Sequence, residues 1–379
     1  MSVAETYDVI VLGVGGMGGS ALYHLAKTGA RVCGIEQFPI SHDRGSSHGD
    51  SRVIRKAYFL HPDYVPLLHR AYDLWRELES ESGKSLMTLT GLLCAGPPDG
   101  PLIKGLDVCY ATHDLPHERW TAAQAREHYP QFALPDNCST YFDPLGGFLR
   151  VEECVATHAA LAQRHGATIH ADEPVLSWEA DASGVTVTTA RRRIEAGTLI
   201  LTAGAWVAKE LASLGLPLTV KRKALFWYQV NDAPGFEPGP FPIWIYEDGE
   251  REFYGFPVIN ANGLKAAEDS GGQVITDPST VNRDLVPEDE TGLRDCLDHL
   301  FPGAVGTRVR HKTCLYTMTP DHHFVLDRHP THSNVLISSC CSGHGFKFAS
   351  VIGEILSELA LTGKTRQPIA LFNIDRLGR

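Results

Sequence analysis

The sequence predicts an α/β protein in which a Rossmann-type domain is discontinuous along the chain and an antiparallel-sheet domain is inserted between its parts. Three observations carry this. The opening residues read as strand (7–12), glycine turn (13–18), helix (to about 28), strand (31–35) and acid (Glu36). A helix-then-strand pattern of the same kind returns near Val151 and a buried strand followed by a helix near Asn334. Between them, from residue 218 to about 315, strand-like runs alternate with loops.

The first unit has the order that a dinucleotide site requires. Gly13 permits the tight turn, Gly15 lets the backbone approach a pyrophosphate, and Gly18 lets the helix pack close to the strand. Gly16 and Met17 belong to the same cofactor-binding turn, and the N-terminus of the helix that follows supplies free N–H groups and a partial positive charge for the phosphates. Glu36, followed by Gln37, accepts hydrogen bonds from a ribose 2′-OH, which argues against a 2′-phosphate and so against NADP. The alternative is a glycine-rich turn that binds nothing.

Length and composition bound the rest. A chain of 379 residues can bury a large core and suggests two or three domains. The formal net charge of −11 argues against nucleic acid, which rewards a basic face. No apolar run approaches the ~20 residues of a membrane span. Residues 1–6 carry no basic stretch and run straight into the first strand, so no signal peptide is expected. The last residues, Leu377-Gly378-Arg379, are not a peroxisomal tripeptide. The nine cysteines are scattered apart from Cys340-Cys341 and read as reduced thiols. A cytoplasmic enzyme is the expectation.

The elements follow in order. Residues 1–90 form the first cofactor-binding part, with a polar, glycine-containing loop at 42–56 and a helix over 64–82. Residues 91–150 are a mixed, proline-bearing substrate or cap segment with a strand at 140–142. Residues 151–217 return to the cofactor domain: an amphipathic helix over 152–165, then strands at 168–170, 175–178 and 185–189. Val175 opens the second of these and is a cofactor contact. A buried strand over 198–201 then ends in the small-residue turn Thr202-Ala203-Gly204-Ala205-Trp206, which lets backbone approach a ligand. The substrate domain covers 218–315, with strands at 224–230 and 252–257 and an acidic helix over 288–300. Residues 316–379 complete the cofactor domain with a strand at 334–338, a loop at 342–345 and a helix over 347–362 stopped by Gly363. A nicotinamide Rossmann domain is normally contiguous, so the interleaving suits a flavoprotein better.

Three further segments identify a family: Gly45-Ser46-Ser47-His48-Gly49-Asp50-Ser51-Arg52-Val53-Ile54-Arg55, then Thr313-Cys314-Leu315-Tyr316-Thr317, then Ser342-Gly343-His344-Gly345-Phe346-Lys347-Phe348. With these in this order, the chain resembles the monomeric sarcosine oxidase and N-methyltryptophan oxidase family, flavoenzymes of the glutathione-reductase-like superfamily, over essentially its whole length. Residues 226–229 and 271–275 look more like the N-methyltryptophan branch, and 316–323 more like the sarcosine branch. The resemblance implies a monomer holding FAD covalently, as an 8α-S-cysteinyl thioether at Cys314. Composition and spacing do not select Cys314 from nine cysteines, since a lone Cys is usually a small buried hydrophobe.

The resemblance also implies a reaction: a secondary amino acid is oxidised at its carbon–nitrogen bond, the imine is hydrolysed by water, and oxygen is reduced to hydrogen peroxide. It places Ser46, Ser47 and Ser51 at the cofactor, and Arg52 and His48 beside the flavin ring as fixed positive charge. Arg55 and Lys347 match the clamp for the substrate carboxylate, one a planar fork and the other a point charge. Residues 345–348, including Gly345, Phe346 and Lys347, match a helix start whose N–H groups face the flavin edge that gains charge on reduction. Gly343 offers its carbonyl to the amine, Tyr254 and Tyr316 line the cavity, and Lys265 activates oxygen through a water. For Arg52, Arg55 and Lys265 the alternative is a surface cation; for Lys347, a first-turn lysine; for the tyrosines, ordinary core packing. The substrate amine must lose a proton, because an ammonium has no lone pair to assist hydride departure. An alkyl amine titrates near ~10, and clustered cations lower that value without a dedicated base.

One position departs from the family pattern. The histidine expected four residues after Lys265 is Asp269 here, which puts the substrate in doubt and not the reaction class. Cys340-Cys341 read as packing thiols, since adjacent cysteines bridge with strain. Three functions remain in competition: an oxidase of an N-methyl or cyclic secondary amino acid such as sarcosine, N-methyltryptophan or pipecolate; a dehydrogenase of the same amines with another acceptor; and a silent FAD-binding protein.

Overall fold

The protein is described here from a computed structural model covering residues 5–231 and 235–378. Residues 1–4 and 379, on which part of the reading of the chain's two ends rests, lie outside the described residues. The strand Glu5–Leu12 is buried without a break from Val9 onward and pairs in parallel with Val32–Ile35 on one side and Arg193–Leu201 on the other. Thr168–His170 adds in parallel beyond Val32–Ile35, and Val335–Ser339 beyond Arg193–Leu201. The parallel sheet therefore draws strands from the beginning, middle and end of the chain. Near-continuous Val, Ile and Leu runs are what a parallel sheet covered on both faces requires. The hairpin Val175–Asp181 with Gly184–Thr189, and the strand Val325–Arg328, add antiparallel neighbours at its margins. The helices Val151–Arg164 and Ala349–Thr362 flank Gly16–Lys27.

The second large sheet has nine strands among the described residues. It is antiparallel at every join but one: Leu92–Gly96 and Ile243–Asp248 run in parallel. A parallel join needs a long crossover, and the chain between these strands makes its excursion through the Rossmann domain. The joins among the strands of 218–315 are antiparallel as expected, and the parallel one brings in a strand from the 91–150 segment. Glu118–Thr121 and Ser139–Asp143 complete its edge, so residues from the 91–150 segment share a sheet with those of 218–315. The long strands Thr219–Val230 and Val305–Met318 pair along most of their length.

Two local expectations change. The polar segment 42–56 is not all loop, because Ser51–Ile54 pairs with Gly147–Arg150, which also pairs with Met87–Leu89. The proline-bearing segment contains the helices Pro101–Thr112 and Ala122–His128, the first with proline in its opening turn and the second with a Thr121/Gln124 capping box. Among the described residues no helix is long and apolar enough to cross a membrane.

Period-two alternation decides what the second sheet shows to the first. Leu225 and Trp227, Ala267, Cys314 and Tyr316 pack as one cluster with Tyr254 on a single face. Lys265 shares that face, with Nζ 4.6 Å from the Phe256 ring centre and 5.5 Å from that of Trp227.

Candidate active site

A continuous cavity of about 630 Å³ runs from the carboxyl ends of the parallel strands to this face. Open α/β sheets bind ligands at those strand ends. Of the residues predicted from sequence, Gly13, Gly15, Gly16, Met17, Glu36, Gln37, Ser46, Ser47, Arg52, Arg55, Val175, Tyr254, Tyr316, Gly343, Gly345, Phe346 and Lys347 line it. Gly18, His48, Ser51, Lys265 and Cys314 lie in the layer behind.

At the glycine turn, Gly13 has φ +93° and a Cβ on Gly18 would sit 1.8 Å from the Gly13 carbonyl oxygen. Helix and strand approach as closely as the third glycine of the motif requires. Glu36 is held by Val14 N (2.9 Å) and Phe38 N (3.1 Å), which donate to its two carboxylate oxygens. A carboxylate so placed keeps lone pairs for a ribose. Gly16 N donates to Ser47 Oγ (3.2 Å), tying the glycine turn to the second motif. A bare backbone cradle, a helix N-terminus and an acid at the strand end together fit FAD.

At the other end, Arg52 donates to the carbonyls of Ser46 (2.7 Å) and Ser51 (2.8 Å) and reaches within 3.4 Å of Cys314 Sγ. Ser46 Oγ donates to Leu315 O on the Cys314 strand. Burial pushes the Cys314 thiol up, and Arg52 opposes this. His48 is 1% exposed, with Nε2 3.1 Å from Gly45 O. Burial, followed by Arg52, lowers its pKa to about 3. The fixed positive charge expected of His48 is therefore corrected to a neutral ring, and the charge at that point comes from Arg52.

Lys265 Nζ donates to Gly49 O (2.7 Å), Ser51 O (2.7 Å) and Ser51 Oγ (3.2 Å). Burial and then Arg52 push its pKa down. Three oxygen acceptors nevertheless match the three N–H groups of an ammonium, whereas a neutral amine has two.

The clamp is the most telling part. Arg55 is 4% exposed, and its Nε and Nη1 have no hydrogen-bond partner. Its guanidinium lies 4.3 Å from the Phe59 ring centre and 4.9 Å from that of Tyr58. Lys347 Nζ donates to His344 O (2.6 Å) and lies 3.5 Å from Tyr58 Oη. Lys347 sits in a short 3-10 turn, Phe346–Phe348, ahead of the helix. Within that turn Phe348 N already donates to Gly345 O (2.9 Å), so the expected group of N–H donors over 345–348 loses Phe348. Gly343 has φ +81° and its Cβ would lie 2.6 Å from the Tyr316 ring, so only glycine leaves the tyrosine in place. Asp269 accepts from Tyr316 Oη (3.0 Å).

Sequence reasoning missed Tyr58 and Glu252. Tyr58 carries both cations of the clamp on its ring face, at 4.9 Å and 5.2 Å; the spacing Arg55 to Tyr58 alone did not signal it. Glu252 lines the cavity. The strand reading over 252–257 would have found it, because Glu252 is two residues from Tyr254 and so on the same face.

The comparisons with known proteins bear on this site. A family model described as "FAD dependent oxidoreductase" matches residues 8–359. The chain belongs to the FAD-dependent oxidoreductase family. Within it, the chain is 42% identical to a monomeric sarcosine oxidase from Streptomyces avermitilis, over 99% of each chain. It is 35% identical to an N-methyl-L-tryptophan oxidase from Yersinia pestis, over 98% of this chain and 99% of the other. Among solved structures, the open form of NikD, described as an unusual amino acid oxidase essential for nikkomycin biosynthesis, superposes with a TM-score of 0.87 at 26% identity, covering 98% of both chains. The family, and FAD as its cofactor, are thus those that the three sequence motifs implied.

Proposed function

We propose that this protein oxidises the carbon–nitrogen bond of a secondary amino acid of the sarcosine or N-methyltryptophan type, with oxygen as acceptor. The observation that carries the reading is the buried Arg55 guanidinium with two unpartnered N–H groups beside Lys347 in the FAD cavity. Unsatisfied buried donors on a cation cost free energy, and a substrate carboxylate is an anion that supplies acceptors for charge-assisted hydrogen bonds to such donors. The likeness to sarcosine and N-methyltryptophan oxidases supports the same substrate class.

Bound FAD supplies the hydride acceptor and the route for electrons to oxygen. The chain's residues do the rest. Arg55 and Lys347 hold the carboxylate and so orient the α-carbon. Tyr254 and Tyr316 wall the site and exclude water from it. Arg52 places fixed charge beside the ring, and Lys265, behind the Gly49–Ser51 backbone, adds a cation that favours reduced oxygen species. Cys314, on the same strand face as Tyr316 and in reach of Arg52, is the residue for thioether attachment. The protein works as a monomer in the cytoplasm.

The test is peroxide formation by flavin-loaded protein on sarcosine, N-methyltryptophan, pipecolate, proline and primary amino acids. Peroxide from a secondary amine and not from primary ones supports the assignment. Anaerobic bleaching by a secondary amine without aerobic peroxide would make it a dehydrogenase.

A further inference from the structure

Three carboxylates stand side by side across neighbouring chain segments of the second sheet, and two of them, Glu252 and Asp269, line the cavity. Glu247 and Glu252 are directly paired between Ile243–Asp248 and Arg251–Val258. On the other side of Glu252, Asp269 N donates to Glu252 O (2.7 Å), which continues the ladder Phe253–Glu268 and makes Asp269 its opposite neighbour. Directly opposed residues bring their side chains to about 5 Å, and like charges there repel. The outer two have compensation. Glu247 accepts from Leu102 N (2.7 Å) in the first turn of Pro101–Thr112, although burial pushes its own carboxyl up. Asp269 accepts from Tyr316 Oη. Glu252, in the middle, has no hydrogen bond to its carboxyl among the described residues, and it opens onto the cavity that also holds Arg55 and Lys347.

Building on the oxidase reading above, we propose that Glu252 is the catalytic base that takes the proton from the substrate's ammonium. A carboxylate clamped by Arg55 and Lys347 directs the neighbouring nitrogen away from those cations. Of the acids that line the cavity, Glu252 and Asp269 are the two on the sheet that carries Tyr254 and Tyr316, and they are left to face it. The step balances simply: an N–H bond of the ammonium breaks, its electron pair stays on nitrogen, and an O–H bond forms on Glu252. No other reactant is needed, and no electron moves.

The charges facing Glu252 set its proton affinity. Burial raises it most, then Asp269; Arg55 lowers it, Glu247 raises it and Lys347 lowers it, with the outcome a pKa of about 8. Lys223 stands beyond Asp269, donating to its carbonyl (3.0 Å). Tyr254, on the same strand face, and Tyr316 stay protonated because burial raises both. A group titrating near 8 exchanges protons readily with a bound amine, whereas an ordinary glutamic acid is too weak a base. The cation-only scheme expected from sequence is thereby replaced by one with a dedicated proton acceptor.

Two readouts on the holoenzyme test this. Infrared titration without substrate should show a protonated carboxyl that ionises near pH 8 in the unaltered protein and is missing in Glu252→Gln. Asp269→Asn should keep that carboxyl and move its ionisation to lower pH. Anaerobic single-turnover reduction by sarcosine should be slowed ~10²-fold by Glu252→Gln near neutral pH, the size expected of general-base loss, and its pH profile should lose the Glu252 inflection and keep only the rise set by the amine's own titration; Glu252→Asp should recover part of both. A carboxyl signal that persists in Glu252→Gln overturns the proposal. So does a signal that vanishes while the reduction rate and its pH profile stay as they were. If the unaltered protein is reduced by no secondary amine although the signal is present, the oxidase reading has failed and the base assignment falls with it.

Discussion

Replacing Arg55 by methionine separates binding from stability. The guanidinium is buried against Tyr58 and Phe59, and two of its nitrogens bond nothing. Two charge-assisted hydrogen bonds to a substrate carboxylate contribute roughly 3–6 kcal/mol together. At about 1.4 kcal/mol per tenfold, Arg55→Met should lower kcat/KM for sarcosine by about 10²- to 10⁴-fold. The folded protein without substrate loses two cation–π contacts, about 0.5–2 kcal/mol each. It is relieved of two unsatisfied buried donors, about 1–3 kcal/mol each. These nearly cancel, so unfolding free energy should move by less than about 2 kcal/mol. The assays are stopped-flow reduction under nitrogen across sarcosine concentration, and urea unfolding of the same samples. A strongly destabilised variant, or one that binds sarcosine as before, would refute the clamp and leave Arg55 a structural cation.

Other expectations follow from the same geometry. Cys314→Ala should release its flavin on acid precipitation while the parent protein retains it; covalent flavin in the variant would move the attachment elsewhere. Lys265→Met should slow reoxidation by oxygen far more than reduction by amine, and equal effects on both half-reactions would count against its role. His48 and His158 are held neutral, each lowered to about 3 chiefly by burial. The unfolded chain therefore binds more protons than the native one between about pH 6.5 and pH 3, and stability falls as pH falls through that window, by up to about 1.4 kcal/mol per pH unit for each ring. Urea unfolding at several pH values should show this slope, and His158→Leu should reduce it by up to about 1.4 kcal/mol per pH unit, the part of one ring among several buried histidines. Glu252 contributes with opposite sign: its raised pKa makes the native state bind the extra proton, so its contribution is lost as pH rises towards about 8.

What was legible in the sequence was what chemistry makes local. The glycine turn, its helix and Glu36 lie within some thirty residues, and each glycine has a steric reason that a single sequence displays. The alternating strand at 252–257 and the glycine stop at 363 were readable for the same reason. Other features depend on distant partners. The parallel join of Leu92–Gly96 with Ile243–Asp248 unites strands about 150 residues apart, and nothing in either run specifies direction. Cys314 differs from the other cysteines only through Arg52, 262 residues earlier, so the family motif was needed to select it. His48 was read as a charge because sequence does not show burial. Glu252 was missed although its strand was found, because its consequence arises from neighbours on two other strands.

The most direct measurement is anaerobic titration of the flavin-loaded protein with sarcosine, followed by admission of air. An amine oxidase of this type loses its yellow absorbance with about one sarcosine per flavin, then regains it on aeration with about one hydrogen peroxide formed. Absorbance unchanged by sarcosine, N-methyltryptophan and pipecolate alike would contradict oxidation of a secondary amino acid at this site.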